Sequence, residues 1–333
     1  MTMRILKANE IGAGSWAKFV RENPFSSPFQ SRLFYDFFNS VTGLSAEAYA
    51  VEQQGNLVAL CVVTFQKEKG LKGYFSRRAI IYGGPLIASD NAEALRFLLR
   101  EINADLKNKV IYTETRNFND YNHLKAHFLS AGWAFEPYLN YHLNCSTEEI
   151  VNQNLNTNRK RQIKKALKNG VRIEEAKDLR EVGDYYVLLK DLYTNKIKKP
   201  LFDFEFFKLF FEQKVGKILL VKHEDKVIGG IVCPVLDNKT IYEFYICGLD
   251  DLYKELSPSV MATYAAIQFG FENNLKKFDF MGAGKQGEDY GVRDFKAKFG
   301  GELVQHGRFI KVHNRLLFGF GKFALAMFQK IKK

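Results

Sequence analysis

The chain has 333 residues, 46% of them hydrophobic and 14% aromatic, which excludes disordered and fibrous proteins and leaves room for two domains with full cores. Its formal charge of +12, from 49 basic and 37 acidic side chains, points to an anionic partner such as nucleic acid, a phosphorylated ligand or a membrane surface. Residues 1–150 carry 16 Lys and Arg against 15 Asp and Glu, a net of +1, whereas residues 159–172 carry seven cations and no acid, and residues 285–333 carry eleven against four. The charge sits on two segments and does not coat the molecule, which argues against DNA as a partner.

The N-terminal MTMRILKANEIGAG lacks the apolar core of a signal peptide, and no run of about 20 apolar residues follows to span a bilayer. The expectation is a cytoplasmic protein, free or peripheral on the inner face of the cytoplasmic membrane. A first helix is expected over 31–40, then a β-hairpin in VEQQGNLVALCVV (51–63), a helix over 93–109 running into a strand at 110–115, and a helix ending at a glycine before a strand in 127–136. The same three features return in VKHEDKVIGGIVC (221–233), in 260–277 leading into FDFMGA (278–283), and in DFKAKFGGEL (294–303), at offsets of 167 to 170. Order and spacing agree three times, so the chain reads as an internal duplication. The fold class is α/β (α+β with mixed sheets) in two tandem units, 1–150 and 151–333, with the boundary in the polar stretch 145–156. Further helices are expected at 155–170, 179–192 and 203–213. Cys61, Cys145, Cys233 and Cys247 form no CxxC pair and read as buried, reduced thiols.

Three segments could carry chemistry. In LNTNRKRQIKKALKNG (155–170) the apolar positions share one side of a helix while Arg159, Lys160, Arg161, Lys164, Lys165 and Lys168 cover the rest. No acid relieves their repulsion, so the helix suits a bound phosphate or diphosphate. In FDFMGAGKQGEDYGVRDFKAKFGGE (278–302), Gly282, Gly284 and Gly287 formally satisfy G-x-G-x-x-G, but no further βαβ unit follows, and Gln286 stands where a Walker A loop needs Ser or Thr. What remains is a strand holding Asp279 that ends in a glycine-rich loop able to approach a ligand closely, with Lys296 just beyond. The tail RLLFGFGKFALAMFQKIKK (315–333) has a wide apolar stripe flanked by lysines and suits either a membrane interface or packing on its own domain. His123 and His127 lack the Glu of HExxH, and no G-x-S-x-G elbow occurs, so metal and serine-triad hydrolysis are disfavoured and no metal site is expected.

F-D-F-x-G followed by Y-G-V-x-x-F-K-x-x-F-G-G, together with the duplicated units and the basic segment before the second, resembles the FemABX family, double-domain relatives of GNAT acyltransferases. The resemblance implies transfer of an amino acid from aminoacyl-tRNA to an amine of a lipid-linked or nucleotide-linked peptidoglycan precursor, with no cofactor beyond that co-substrate. It implies that Lys296 supplies positive charge at the developing oxyanion, beside Phe295, and that Asp279 or Glu243 takes the proton. It assigns Arg159, Arg161 and Lys164 to the precursor diphosphate, and Tyr242, Tyr245 and Tyr290, with Gly282 and Gly284, to the substrate channel. The chain departs from the family in having no room for a coiled-coil arm between 176 and 217. A second reading is an N-acyltransferase using acyl-CoA on a surface polysaccharide or lipid precursor, although the GNAT pyrophosphate loop [QR]-x-x-G-x-[GA] is missing at the expected helix starts. A third is a non-enzymatic nucleic-acid-binding protein, which the lack of aromatics among the 159–172 cations weakens. Deletion of residues 315–333 is expected to abolish sedimentation with anionic vesicles; equal binding by the truncated protein would make the tail a packed helix.

Overall fold

The computed structural model describes residues 2–67, 73 and 76–321. The chain divides into two compact units, one made of the residues up to Pro137 with those from His306 onward, the other of Tyr138–Gln305. The boundary expected at 150 thus falls inside the second unit, because the strand Asn140–Asn144 pairs only with strands of that unit. The segment after 305 returns to the first. Of the tail, residues 322–333 lie outside the described residues, and 315–321 are helical with Leu316 and Phe320 exposed.

The first unit runs β1 (Met3–Lys7), α1 (Ala13–Glu22), α2 (Arg32–Ser40), β2 (Ser45–Gln53), β3 (Asn56–Gln66), β4 (Arg78–Gly83), β5 (Leu86–Ile87), α3 (Ala92–Leu106), β6 (Tyr112–Asn117), α4 (Lys125–Ser130) and β7 (Ala134–Glu136). The late strand Arg308–Val312 enters its sheet between β6 and β7. Phe309 anchors it by stacking on Phe128 at 3.9 Å between ring centroids. The spacing Leu95, Leu98, Leu99, Ile102, Leu106 buries one face of α3 in a core shared with Tyr49, Val51, Cys61 and Val63. Each such fully buried leucine stabilises the unit by about 2 kcal/mol. Strands β4 and β6 run parallel and stay paired over their whole length, from Arg78↔Tyr112 to Gly83↔Asn117.

The second unit runs β8 (Asn140–Asn144), α5 (Glu148–Asn154), α6 (Thr157–Lys168), β9 (Arg172–Glu175), α7 (Leu179–Leu192), α8 (Phe204–Glu212), β10 (Gly216–His223), β11 (Lys226–Leu236), β12 (Thr240–Tyr242), β13 (Tyr245–Gly248), α9 (Pro258–Glu272), β14 (Lys277–Asp279), α10 (Gly291–Ala297) and β15 (Glu302–Val304). Its sheet is ordered β15-β8-β14-β12-β11-β10-β9, with β13 also on β11. Both units therefore hold a mixed eight-stranded sheet, as the duplication predicts. The two hairpins share a turn as well. Gln54 and Gly55 in one, and Glu224 and Asp225 in the other, all have positive φ, the backbone of a two-residue type I′ connection. Helix α9 is apolar nearly all round and is buried on most of its faces against β10, β11 and β13, as such a composition requires. All four cysteines are buried, and burial pushes the thiol of Cys145 up to about 12.

After α10 the chain turns at Gly300, whose φ is +83° and where a Cβ would sit 2.0 Å from the Asn154 carbonyl oxygen. Neither the dihedral nor the space admits a side chain. Gly300→Ala is expected to destabilise the second unit by about 3 kcal/mol, read as a lower urea midpoint.

Candidate active site

The site begins where two parallel strands stop pairing. β12 and β14 are in register through Thr240↔Lys277, Ile241↔Phe278 and Tyr242↔Asp279, and Glu243 N–H makes one last bond to the Asp279 carbonyl at 2.9 Å. Beyond it the chains part. Phe244 N–H turns to Val232 and β13 joins β11, whereas Phe280 N–H bonds Tyr141 and Ala283 N–H bonds Leu139, keeping the other chain beside β8. A wedge opens between them with Glu243 at its apex. In the first unit the chain after β4 likewise leaves β6 and joins β3 as β5.

Lys296 of α10 reaches this apex. Its ammonium donates to Glu243 Oε1 at 2.8 Å, to the Phe280 carbonyl at 2.6 Å and to the Gly282 carbonyl at 2.8 Å. An ammonium has three N–H donors, so all are spent inside the protein, and the Lys296 and Glu243 side chains are only 8% and 5% exposed. The resemblance assigns Lys296 to a developing oxyanion; the geometry leaves it no donor for one and ties it to Glu243 instead. The other carboxylate oxygen, Glu243 Oε2, is buried with no hydrogen-bond partner among the described residues. Burial raises the Glu243 carboxyl above the ordinary range, with the Asp279 charge adding to it and Lys296 opposing it.

Asp279, fully buried, has its Oδ1 bonded by Asn140 Nδ2 at 2.7 Å and by Met281 N–H at 2.8 Å, while its Oδ2 lies 3.0 Å from His142 Nε2. Burial works to raise this carboxyl, but His142, Lys277 and Asn140 outweigh it and hold it at about 2. Asp279 therefore stays ionised and hydrogen-bonded at neutral pH, which leaves Glu243, rather than Asp279, with the character of a base. Around the opening Tyr245 is half-buried and Tyr290 is 39% exposed. Tyr193 packs on Tyr245 with ring centroids 5.9 Å apart. Burial and then neighbouring groups, Glu243 among them, raise the Tyr193 hydroxyl to about 12 and raise Tyr290 as well. Tyr290 covers Gly284, where a Cβ would meet its ring at 2.8 Å. Arg293 secures the glycine loop by donating to the carbonyls of Ala283, Lys285 and Glu288.

The sequence-predicted residues divide accordingly. Lys296, Glu243, Asp279, Gly282, Gly284 and Tyr290 come together at or beside the wedge. Two do not have the placement expected of them. Tyr242 is 1% exposed and belongs to the interior of the unit. Arg159 is 6% exposed, its guanidinium stacked 4.5 and 4.9 Å from the ring centroids of Phe295 and Phe299 and bonded to Gln162 and the Phe295 carbonyl. It faces inward because those two rings offer a cation a surface that the solvent side of α6 does not. Phe295 accordingly packs against the core and Arg159. Arg161 and Lys164 stay exposed on α6 with Lys160 and Lys168, whereas Lys165 pairs with Glu255. Asn140, His142, Tyr193 and Arg293 were not singled out by sequence. For the first two, the only signal is the polar alternation of NYHLN on a strand.

Residues 153–296, which make up most of the second unit, match the family model described as the acetyltransferase (GNAT) domain and support acyltransferase activity there. Over the whole chain the structure is similar to FemX, with a TM-score of 0.73 at 16% identity, covering 96% of this chain and 99% of that one. It is also similar to the C-terminal domain of a putative lysylphosphatidylglycerol synthetase from Agrobacterium fabrum (TM-score 0.57, 12% identity, 95% and 94% covered) and to a tandem GNAT protein from the clavulanic acid biosynthesis pathway (0.57, 9%, 94% and 99%). None of the curated proteins matches the chain. The FemABX-like, tandem GNAT-like architecture expected from 278–301 and the repeats is thus present at the level of fold.

Removing one partner of the buried pair leaves a desolvated charge. Lys296→Met is expected to destabilise the unit by about 3–5 kcal/mol, and the double variant Lys296→Met/Glu243→Leu to recover part of that loss. Thermal melts of the four proteins in the cycle measure it; strictly additive losses would mean the pair is not coupled.

Proposed function

We propose that this acyltransferase joins an aminoacyl group, donated by aminoacyl-tRNA, to an amine of a lipid-linked or nucleotide-linked peptidoglycan precursor at the inner face of the cytoplasmic membrane. The observation that carries the amide-forming reaction is Glu243 Oε2, a buried, unpartnered carboxylate oxygen at the apex of the wedge, with its basicity raised by burial. An acceptor amine at neutral pH arrives as an ammonium and must lose a proton before it can attack. Glu243 takes that proton, the amine nitrogen bonds to the ester carbonyl carbon, and the tetrahedral intermediate collapses with cleavage of the carbon–oxygen bond to the ribose. Glu243 gives this first proton up to solvent, takes the second from the nitrogen of the tetrahedral intermediate and passes it to the departing oxygen, so that a neutral amide and a ribose hydroxyl form with one net proton released. Lys296 holds the carboxylate in place and contributes its positive charge through space.

The donor rests on two supports. One is the FemABX-like signature and fold, together with a neighbour whose name couples an aminoacyl group to a lipid. The other concerns the acyl-CoA reading. A pyrophosphate seated at a helix start needs free N–H groups there, but at the start of α9 the Asp250 carboxylate already accepts from Ser259 N–H at 3.1 Å and from the Ser259 hydroxyl. This internal anion at the helix start weighs against a cofactor phosphate there. Arg161 and Lys164, exposed on α6, remain available to a precursor diphosphate.

Incubation with labelled aminoacyl-tRNA or acyl-CoA plus lipid-linked precursor identifies the donor by which label is lost. If acyl-CoA alone is consumed, the aminoacyl reading fails. Because Glu243 must be ionised to act as base and its pKa is raised, kcat/KM is expected to fall as pH drops through a value above the ordinary glutamate figure of about 4.3. In Glu243→Gln that acid limb is expected to vanish, with kcat reduced about 100-fold or more.

A further inference from the structure

The ammonium of Lys296 can hold Glu243 by a single oxygen only if two carbonyls keep its other two N–H groups occupied. Those carbonyls belong to Phe280 and Gly282, on a turn the backbone does not favour by itself. Met281, between them, has a left-handed φ of +54°, and Gly282 has a φ of +130°. A non-glycine residue in that region costs of order 1 kcal/mol or more and persists only where the surroundings impose it.

Two side chains impose it, Asn140 and Asp279, and the amide of Asn140 joins them. Asn140, on β8 and 5% exposed, accepts from Gly282 N–H at 2.7 Å and from Tyr141 N–H at 2.9 Å through Oδ1, and donates through Nδ2 to Asp279 Oδ1 at 2.7 Å. Asp279 Oδ1 in turn accepts from Met281 N–H. The amide therefore ties the end of β14 to the far side of the turn, and two backbone N–H bonds to the oxygens of Asn140 and Asp279 fix its shape. Two accepted N–H bonds settle which end of the amide is oxygen.

The geometry points to Asn140 as a positioning residue for the proposed base: its amide holds the Phe280–Gly282 turn so that both carbonyls cap the Lys296 ammonium, leaving one N–H for Glu243 and Glu243 Oε2 unengaged. Without the amide, Gly282 N–H loses its acceptor and the turn can relax. A carbonyl leaves the ammonium, and the freed N–H goes to the second oxygen of Glu243. The carboxylate is then held at both oxygens and becomes the weaker base.

This assignment rests on Glu243 being the base, and the test separates the two. Protein labelled with 13C at glutamate carboxyls is titrated by NMR, the Glu243 signal being assigned by its loss in Glu243→Gln. In folded Asn140→Ala the Glu243 midpoint is expected to fall by at least about half a pH unit. In transfer assays kcat should drop about tenfold or more with KM within about twofold, and the acid limb should move to lower pH. An unchanged midpoint in the folded variant overturns the assignment whatever the reaction. A shifted midpoint in a protein without transferase activity upholds it and faults the proposed reaction alone. If Asn140→Ala does not fold, Asn140→Ser, whose hydroxyl is too short to bridge Asp279 and Gly282, is read by the same criteria. Failure of both to fold makes Asn140 a folding residue and overturns the assignment as well.

Discussion

A buried ammonium must find three acceptors, and in the second unit the satisfaction of Lys296 organises everything around it. One acceptor is the Glu243 carboxylate and two are carbonyls of the turn after β14. Moving any of these elements strands a charge in a site that water scarcely reaches. The turn must hold its unusual dihedrals, α10 must present Lys296 at one depth, and Glu243 must stay at the point where β12 and β14 separate. The proposed base is fixed by the same contacts that satisfy the buried ammonium, so a change that alters its basicity there also alters the stability of the unit.

The two units show what the duplication kept and what it did not. Both have an eight-stranded mixed sheet, a type I′ hairpin and a parallel strand pair. In the first unit that pair spans six residues before the chain crosses to β3 as β5. In the second it lasts three residues and then parts, and the released backbone groups turn to β11 and β8. A wedge of this kind needs a neighbour on each side to receive what the pair gives up. In the second unit its apex at Glu243 and Asp279 falls within the acetyltransferase match over residues 153–296.

Much of the fold was legible in the sequence because its signals are local. Period-2 apolar runs flanking a polar dipeptide mark the hairpins, and 95, 98, 99, 102, 106 mark a helix face. The domain boundary was less so, since the polar stretch after 145 looks like a linker while the strand before it already belongs to the second sheet. At the site, Lys296 and Asp279 stood out because they flank a glycine-rich loop in a compact motif. Asn140 did not, because its meaning depends on Asp279, 139 positions later. Arg159 misled for a related reason. On a helix bearing six cations in ten residues nothing local distinguishes the one that turns inward, and the rings that receive it lie far along the chain, at 295 and 299. Pairings distant in sequence are written in the fold and not in any window of residues.

The strand Arg308–Val312 has a consequence for how the molecule comes into being. It lies between β6 and β7, so the first sheet lacks an inner strand until residues beyond 305 have left the ribosome. The second unit, unbroken from 138 to 305, has every strand of its own sheet in hand before that moment. The half of the chain made first is therefore the half that closes last, and until it closes β6 and β7 present unpaired edges to anything that can pair with them. Shortening the chain from its C-terminal side to before 308 would spare the catalytic unit's own strands and leave the opposite end of the sequence unable to complete its sheet.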